Sequence, residues 1–394
     1  MENMINRTYS MSDAVTKPFF AATSVLASYG FHLALSRLSN NKAIIAFAAL
    51  LCFLFTANTH AQTLEWVKTF GGKYSDYGFF IAIDSEGNVY TTGYFSETVD
   101  FDPGTGVTNL SAVGEIDVFI QKLDAQGNFL WAKSFGGKNY AYTASIAIDD
   151  VGNVYTIGNF SDTVDFDPGM GVTNLNSVGK TDIFILKLDA QGDFLWAKSF
   201  GGTGRGLGTS IAIDAANNVY TAGYFSGTVD FDPGIGVVNL SSVGQEDIFI
   251  QKLDANGNFL WAKSFGGILN DRGNFLAIDD ANNVYTTGSF VSTVDFDPGI
   301  GVTNLSALGS YDIFIQKLDA QGNFLWAKSM GKYNDDVGIS IAIDAMGNIF
   351  TTGYFIGTVD FDPGIGVTNL SSIGDLDIFI QKLDKNGNFL QTLS

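Results

Sequence analysis

The chain has 394 residues, with 21 basic and 41 acidic side chains, a formal net charge of −20, one cysteine and two histidines. Cys52, His32 and His60 all lie before position 62, which removes disulfides, ordinary zinc sites and every Cys/His or Ser/His nucleophile system from the rest of the chain. Without the four basic and two acidic residues of positions 1–61, the remainder carries 17 basic and 39 acidic residues, a net charge of about −22, so nucleic acid and anionic membrane surfaces are poor partners. Only five of those acids are glutamate, namely Glu65, Glu86, Glu97, Glu115 and Glu246. The charge rests on aspartate, the acid that closes turns and ligates hard cations through a short side chain.

Residues 1–61 read as a leader with a signal peptide. Lys42 is followed by the fifteen-residue apolar run "AIIAFAALLCFLFTA", shorter than the roughly 20 residues a membrane-spanning helix needs. Thr59 and Ala61 are small residues spaced for cleavage before Gln62. A second apolar patch, "FFAATSVLASYGF", lies upstream, and a start at Met11 and a retained anchor are the alternatives. Cys52 follows Leu51 rather than the small residue a lipid-attachment site would want. Export to the cell surface or medium is expected, with no membrane insertion once the signal is removed.

From Trp66 the sequence repeats every 65 residues, giving units 66–130, 131–195, 196–260, 261–325 and 326–390. Trp131, Trp196, Trp261 and Trp326 open the later units, and Gln391 stands where a sixth Trp would fall. Each unit holds four runs rich in Ile, Phe, Tyr, Val and Trp. In the third they span Ser210–Asp214, Asn218–Phe225, Asp247–Asp254 and Phe259–Phe265, and the turns "DAANN" and "DANGN" join them in pairs as tight hairpins. Four antiparallel strands per repeat predict an all-β fold over residues 62–394, a β-propeller of five four-stranded blades. Runs such as "IAI" and "IFI" lack polar alternation, as expected where a blade is packed on both faces. Gly93, Gly158, Gly223, Gly288 and Gly353 sit mid-strand and are expected to mark close blade-to-blade approach. A β-solenoid is the alternative, although its repeats are usually much shorter.

"IAIDAANNVYTAGYF", "IAIDSEGNVYTTGYF", "IAIDAMGNIFTTGYF" and "KLDAQGNFLWAKSFGG" resemble the SBBP family, a bacterial β-propeller repeat of exported proteins. The resemblance covers nearly all of the chain after the leader and implies the fold, but brings no general activity and no catalytic residues. The family name implies seven blades; with five units, either the ring is smaller or it is incomplete. The strand "LEWVKTF" is expected to close the ring as the outermost strand of the last blade, which would leave "FLQTLS" surplus.

Meander order places the tight hairpins at one end of each sheet and everything long or variable at the other. The 21-residue stretch "SGTVDFDPGIGVVNLSSVGQE" reads as an extra hairpin closed by a Pro-Gly turn. The segments after "FGG" differ most between units and offer Tyr74, Tyr77, Tyr140, Tyr142, Arg205, Arg272 and Tyr333 as candidate ligand-binding residues. In "DFD" the two carboxylates point to one side of a strand. Asp100 and Asp102, Asp165 and Asp167, Asp230 and Asp232, Asp295 and Asp297, and Asp360 and Asp362 are therefore candidate calcium ligands, or else caps of the Pro-Gly turn. Two carboxylates suffice for a glycan hydrolase or lyase, yet a catalytic centre needs an asymmetric set of groups, and here nearly every Asp recurs five times. The expected function is that of a monomeric, non-enzymatic binding or adhesion module for a polysaccharide or surface protein, the alternative being a spacer in a surface assembly.

Overall fold

A computed structural model describes residues 64–393, so the expectations placed on residues 1–61 lie outside the described residues. Among the described residues there is no helix, and the chain forms five antiparallel four-stranded meanders. Sheet 1 runs from Tyr77 to Gly137, sheet 2 from Ala141 to Phe200, sheet 3 from Gly206 to Phe265, sheet 4 from Arg272 to Met330 and sheet 5 from Val337 to Leu393. In sheet 3 the strands Gly206–Ile213, Val219–Phe225, Asp247–Leu253 and Phe259–Phe265 lie side by side in chain order. They match the expected runs to within one residue, except that the first starts at Gly206 rather than Ser210.

That extension carries a β-bulge between Gly208 and Ser210, opposite Gly223 and Ala222. The bulge corrects the expectation for the mid-strand glycines. A Cβ on Gly223 would lie 1.9 Å from the Leu207 carbonyl oxygen and 2.7 Å from the Phe249 ring, both in its own sheet. The bulge pushes the first strand's backbone over the second, so glycine is needed within the blade rather than between blades.

Sheets pack face to face in sequence, approaching most closely through their first two strands. Every residue of the third strand, "DIFIQKL", is buried in sheet 3, because Ile248 and Ile250 pack against sheet 4 while Phe249 and Leu253 pack against sheet 2. This is why the run shows no polar alternation. The same sequence in sheet 5 alternates between exposed and buried positions, because sheet 5 has a neighbour on one side only. Trp131, Trp196 and Trp261 each reach past their own sheet, and Trp66 reaches from the segment before sheet 1; all four donate Nε1–H to a backbone carbonyl in the next hairpin turn, of Ala190, Ala255, Ala320 and Ala125 respectively, at 3.1–3.3 Å.

The expected closing strand is not formed. Residues 64–70 lie along sheet 1, where Trp66 bonds Ala125, Phe70 packs on Phe101 and Phe119, and Gly71 bridges Asp100. "FLQTLS" is not surplus either: Phe389–Leu393 pairs with Asp377–Leu383 as the fourth strand of sheet 5. Local packing decides the outcome, because the Trp66 and Phe70 contacts reproduce those of Trp131 and Phe135 against sheet 2.

The stretch "VDFDPGIGV" is a lid with two plugs. Thr228–Asp230 and Asn239–Ser241 form the extra hairpin, and Val229 and Phe231 are fully buried beneath it. The Phe231 ring meets Phe225 edge-on at 5.2 Å and Phe249 at 5.1 Å, and Gln251 donates Nε2–H to the Phe231 carbonyl at 2.6 Å. The lid also bonds to the preceding sheet, through Gly136 and Gly137 opposite Asp165 and Val164 in unit 2, and Gly202 opposite Val229 in unit 3. It therefore ties consecutive sheets together at the end of the sheets opposite the tight hairpins.

Candidate functional site

Each tight hairpin is organised by one aspartate. Asp214 Oδ1 accepts the N–H groups of Ala216 and Asn218 at 2.9 and 2.8 Å, while Oδ2 accepts Asn218 Nδ2 at 2.8 Å and the Tyr220 hydroxyl at 3.2 Å. Lys252 lies 3.8 Å from the same carboxylate and 4.6 Å from the Tyr220 ring centroid. The arrangement recurs with Asp84, Asp149 and Asp279, so it belongs to the fold. In unit 5 Phe350 stands for the tyrosine, and Asp344 keeps only the Asn348 and backbone bonds.

One oxygen of each "DFD" carboxylate is likewise taken up by its own turn. Asp230 Oδ1 accepts the N–H groups of Asp232 and Val238 at 3.1 and 2.8 Å, and Asp232 Oδ1 accepts that of Gly234 at 2.7 Å. Asp232 Oδ2 sits 2.1 Å from where a Cβ on Gly236 would be, which accounts for the second glycine of "DPGIG". The same bonds are made by Asp100 and Asp102, Asp165 and Asp167, Asp295 and Asp297, and Asp360 and Asp362. Among the described residues no three His, Cys, Asp or Glu side chains converge as a metal-binding group.

Asymmetry is found at the opposite end of the sheets, where three positions of the repeat meet. The first strand contributes Tyr77, Tyr142, Leu207, Arg272 and Val337 in units 1 to 5; the end of the second strand contributes Tyr94, Asn159, Tyr224, Ser289 and Tyr354; and the residue before the third strand is Ile116, Thr181, Glu246, Tyr311 and Leu376. Some of their immediate neighbours are constant: the residue after the second position is Phe and the residue after the third is Asp in every unit.

Two clusters result. Between sheets 1 and 2, Tyr77, Tyr94, Tyr142 and Tyr140 form a continuous row of rings, with successive centroids 5.0, 5.3 and 5.2 Å apart, and Phe79 adds to it 5.3 Å from Tyr94. Burial raises the pKa of the Tyr142 hydroxyl, with the neighbouring Tyr94 and Tyr140 acting in the same direction. Between sheets 3 and 4, Arg272 Nε donates to Glu246 Oε2 at 2.8 Å, Arg205 Nη1 lies 4.0 Å from Glu246 Oε1, and the Arg272 guanidinium covers the Tyr224 ring at 5.3 Å. Burial works against the charge on Arg272, but the hydrogen bond and charge of Glu246, with Tyr224 and Tyr311, together outweigh it and raise the pKa. Tyr74 and Tyr333 join neither cluster; each is exposed and faces the lysine before it, Lys73 at 5.3 Å and Lys332 at 5.6 Å.

The sequence argument therefore selected five residues that the structure gathers into the two clusters and two that stand apart. It missed Tyr94, Tyr224 and Glu246. Comparing the strands position by position, and not only the loops, would have found them: Glu246 is the only acid at its repeat position.

The fold is that of an all-β repeat protein of β-propeller type. Residues 65–94 match the family model SBBP, described as Beta-propeller repeat, so the chain carries the SBBP repeat, and its pattern recurs through the other units. The chain is similar to an uncharacterized WD repeat-containing protein, L264, of Acanthamoeba polyphaga mimivirus, 22% identical over 82% of this chain and 34% of that protein. It is also similar to the regulatory protein FlaEY of Caulobacter vibrioides, 29% identical over 48% of this chain and 20% of that protein. The chain thus spans about a third or less of the length of these two relatives. A solved structure, a protein of unknown function from Bacteroides caccae, aligns at 10% identity and a TM-score of 0.35 over 70% of this chain and 89% of its own. A likeness of that size carries no argument.

Proposed function

We propose that the chain is an exported, non-enzymatic binding module that holds a polysaccharide, or a glycosylated surface protein, across the non-hairpin end of sheets 1 to 4. The observation that carries this reading is that three adjoining repeat positions differ from unit to unit and are filled in one place by a tyrosine row and in another by an Arg–Glu–Tyr cluster. Duplicated units that differ only by drift would scatter their differences over exposed loops. Here the differences include half-buried positions on strands, where a change must be accommodated by neighbours.

The chemistry suits sugars. Flat aromatic faces present apolar area with little side-chain entropy to lose, and a guanidinium fixed by a carboxylate offers directed donors to hydroxyl groups. A strongly acidic chain repels polyanions, which favours neutral or amino sugars. No hydrolytic role is assigned, because the acids with strongly raised pKa values, Asp271 and Asp312, are buried away from solvent, and a general acid must reach its substrate. The two relatives with functional words in their names, a repeat protein and a regulatory protein, accord with a non-catalytic role.

The test is a glycan and surface-polymer array with the purified chain, alongside Tyr142→Ala and Arg272→Ala. Binding that both substitutions weaken at least tenfold supports the reading. Binding indifferent to both, or turnover of an arrayed glycan, sinks it.

A further inference from the structure

We propose that copies of this chain associate head to tail, the open face of sheet 5 in one copy packing on the open face of sheet 1 in the next and repeating the interface that joins the sheets within the chain.

The two faces are halves of one known surface. On the side of each sheet that meets its predecessor, the first strand places Ile146, Ile211, Leu276 and Ile341, all at most 8% exposed; the equivalent Ile81 of sheet 1 is 66% exposed. On the side that meets the successor, the third strand places Val118, Ile183, Ile248 and Ile313 at 0%, and Ile120, Ile185, Ile250 and Ile315 at 0%. The equivalents in sheet 5 are Ile378 at 70% and Ile380 at 48%. Four internal interfaces therefore show what each open face accepts, and the accepting partner is the other open face.

Residues 64–70 mark the same fit. They hold the position that a preceding sheet's fourth strand takes, through the Trp66 bond to Ala125 and the Phe70 contacts, while the first three strands of such a sheet are missing. Sheet 5 supplies three such strands, and in its own fourth strand Gln391 replaces the Trp. Residues 64–70 of the second copy are the repeat equivalents of that strand and would displace Phe389–Leu393 from it.

A second copy is favoured over the chain's own other end because the four internal interfaces are already fully packed while both faces stand open. Joining the ends of one chain would re-angle all four, and close-packed interfaces resist that. A contact between unlike faces gives a closed ring of copies where the rotation between them closes and an open chain where it does not. This proposal departs from the expectation of a monomer.

The test uses sedimentation velocity on the full chain at 150 mM salt, which screens the acidic charge, with Ile81→Lys and Ile378→Lys. Both side chains are largely exposed, so neither change should unfold a single copy, and circular dichroism checks this. The expected pattern is concentration-dependent oligomers for the unsubstituted chain, monomer for each variant alone, and a one-to-one dimer that grows no further when the two variants are mixed, because each then supplies one intact face. A monomeric unsubstituted chain, oligomers that survive either substitution, or a mixture that stays monomeric would each overturn head-to-tail association.

Discussion

The two ends of the sheets use the same acid in opposite ways. At the hairpin end, Asp279 is pushed up by burial, but the side chain and backbone of Asn283, the Tyr285 hydroxyl and the Ala281 N–H outweigh that and hold its pKa below the usual carboxylate range; Asp84 and Asp319 follow the same balance. At the other end, burial dominates. Asp117, Asp182 and Asp247, each the first residue of a third strand, are raised because few donors face them, Asp312 is pushed up to about 7 and Asp271 to about 6. The hairpin end is a satisfied framework repeated five times. The opposite end tolerates strained acids and repeat-to-repeat differences, which is the distribution expected where a protein trades stability for recognition.

The framework should break most severely where backbone meets backbone. Gly223→Ala would put a Cβ 1.9 Å from the Leu207 oxygen, forcing the bulged strand away and exposing part of the sheet 2–3 and 3–4 cores. A loss of about 4 kcal/mol or more is expected in urea denaturation followed by tryptophan fluorescence. A loss under about 1 kcal/mol would mean that the bulge is pliable.

Next in size is Asp214→Ala, which orphans two backbone N–H groups, an amide and a hydroxyl at once. It should cost about 3 kcal/mol. Tyr220→Phe should cost only about 1 kcal/mol, since unit 5 already carries Phe350 there. Equal losses from the two would show that the aspartate acts chiefly through the tyrosine.

The opposed titrations give a pH test. A carboxyl raised in the folded state binds a proton that the unfolded state has released, so Asp312 and Asp271 weaken the fold above their folded pKa values, and the penalty fades as pH falls toward 4. The lowered acids behave oppositely, contributing stability above the ordinary carboxylate range and losing it as pH falls below about 4. Melting temperature should therefore rise from pH 8 to about pH 5 and drop below pH 4. Asp312→Asn should flatten part of the rise, by roughly 1.4 kcal/mol per pKa unit removed. A melting temperature that climbs steadily from pH 5 to 8 contradicts this.

Smaller still in stability terms are substitutions in the two clusters. Tyr77→Ala and Arg272→Ala remove half-exposed groups and an ion pair open to solvent, and should each change stability by no more than about 1 kcal/mol. If they unfold sheet 1 or sheet 4 instead, as read by hydrogen exchange, the clusters belong to the framework and the comparison between the two ends fails.

How far this contrast was legible in the sequence depends on range. The strands, their hairpins and the extra "TVD"/"NLS" hairpin follow from local apolar runs and turn residues, and the spans came out close. Gly223 was misread because a bulge depends on cross-strand register, which no single strand displays. The closing role expected of "LEWVKTF" was misread because the same residues fit any fourth-strand position, and only packing chooses between sheet 1 and sheet 5. Tyr94, Tyr224 and Glu246 escaped because they lie in strands, where differences between units look like ordinary core variation until the fold sets them beside Tyr77, Tyr142 and Arg272.

The smallest effect is expected at the five "DFD" pairs. A calcium cage needs carboxylate oxygens free to face a cation and usually six or more oxygen ligands. Asp230 Oδ1 and Asp232 Oδ1 instead accept backbone N–H groups, and no third acid converges on them among the described residues. Repulsion between the two carboxylates is offset by those donors, so the motif needs no metal to be stable. After removal of divalent ions with chelator, added calcium should shift the melting temperature no more than sodium at equal ionic strength. Asp230→Asn, which keeps an acceptor oxygen for the Asp232 and Val238 N–H groups, should cost less than about 1 kcal/mol. A calcium-specific rise that disappears when the paired aspartates of all five units are changed to Asn would show instead that the turn opens around the ion, and would move these ten residues from the framework to the binding chemistry of the protein.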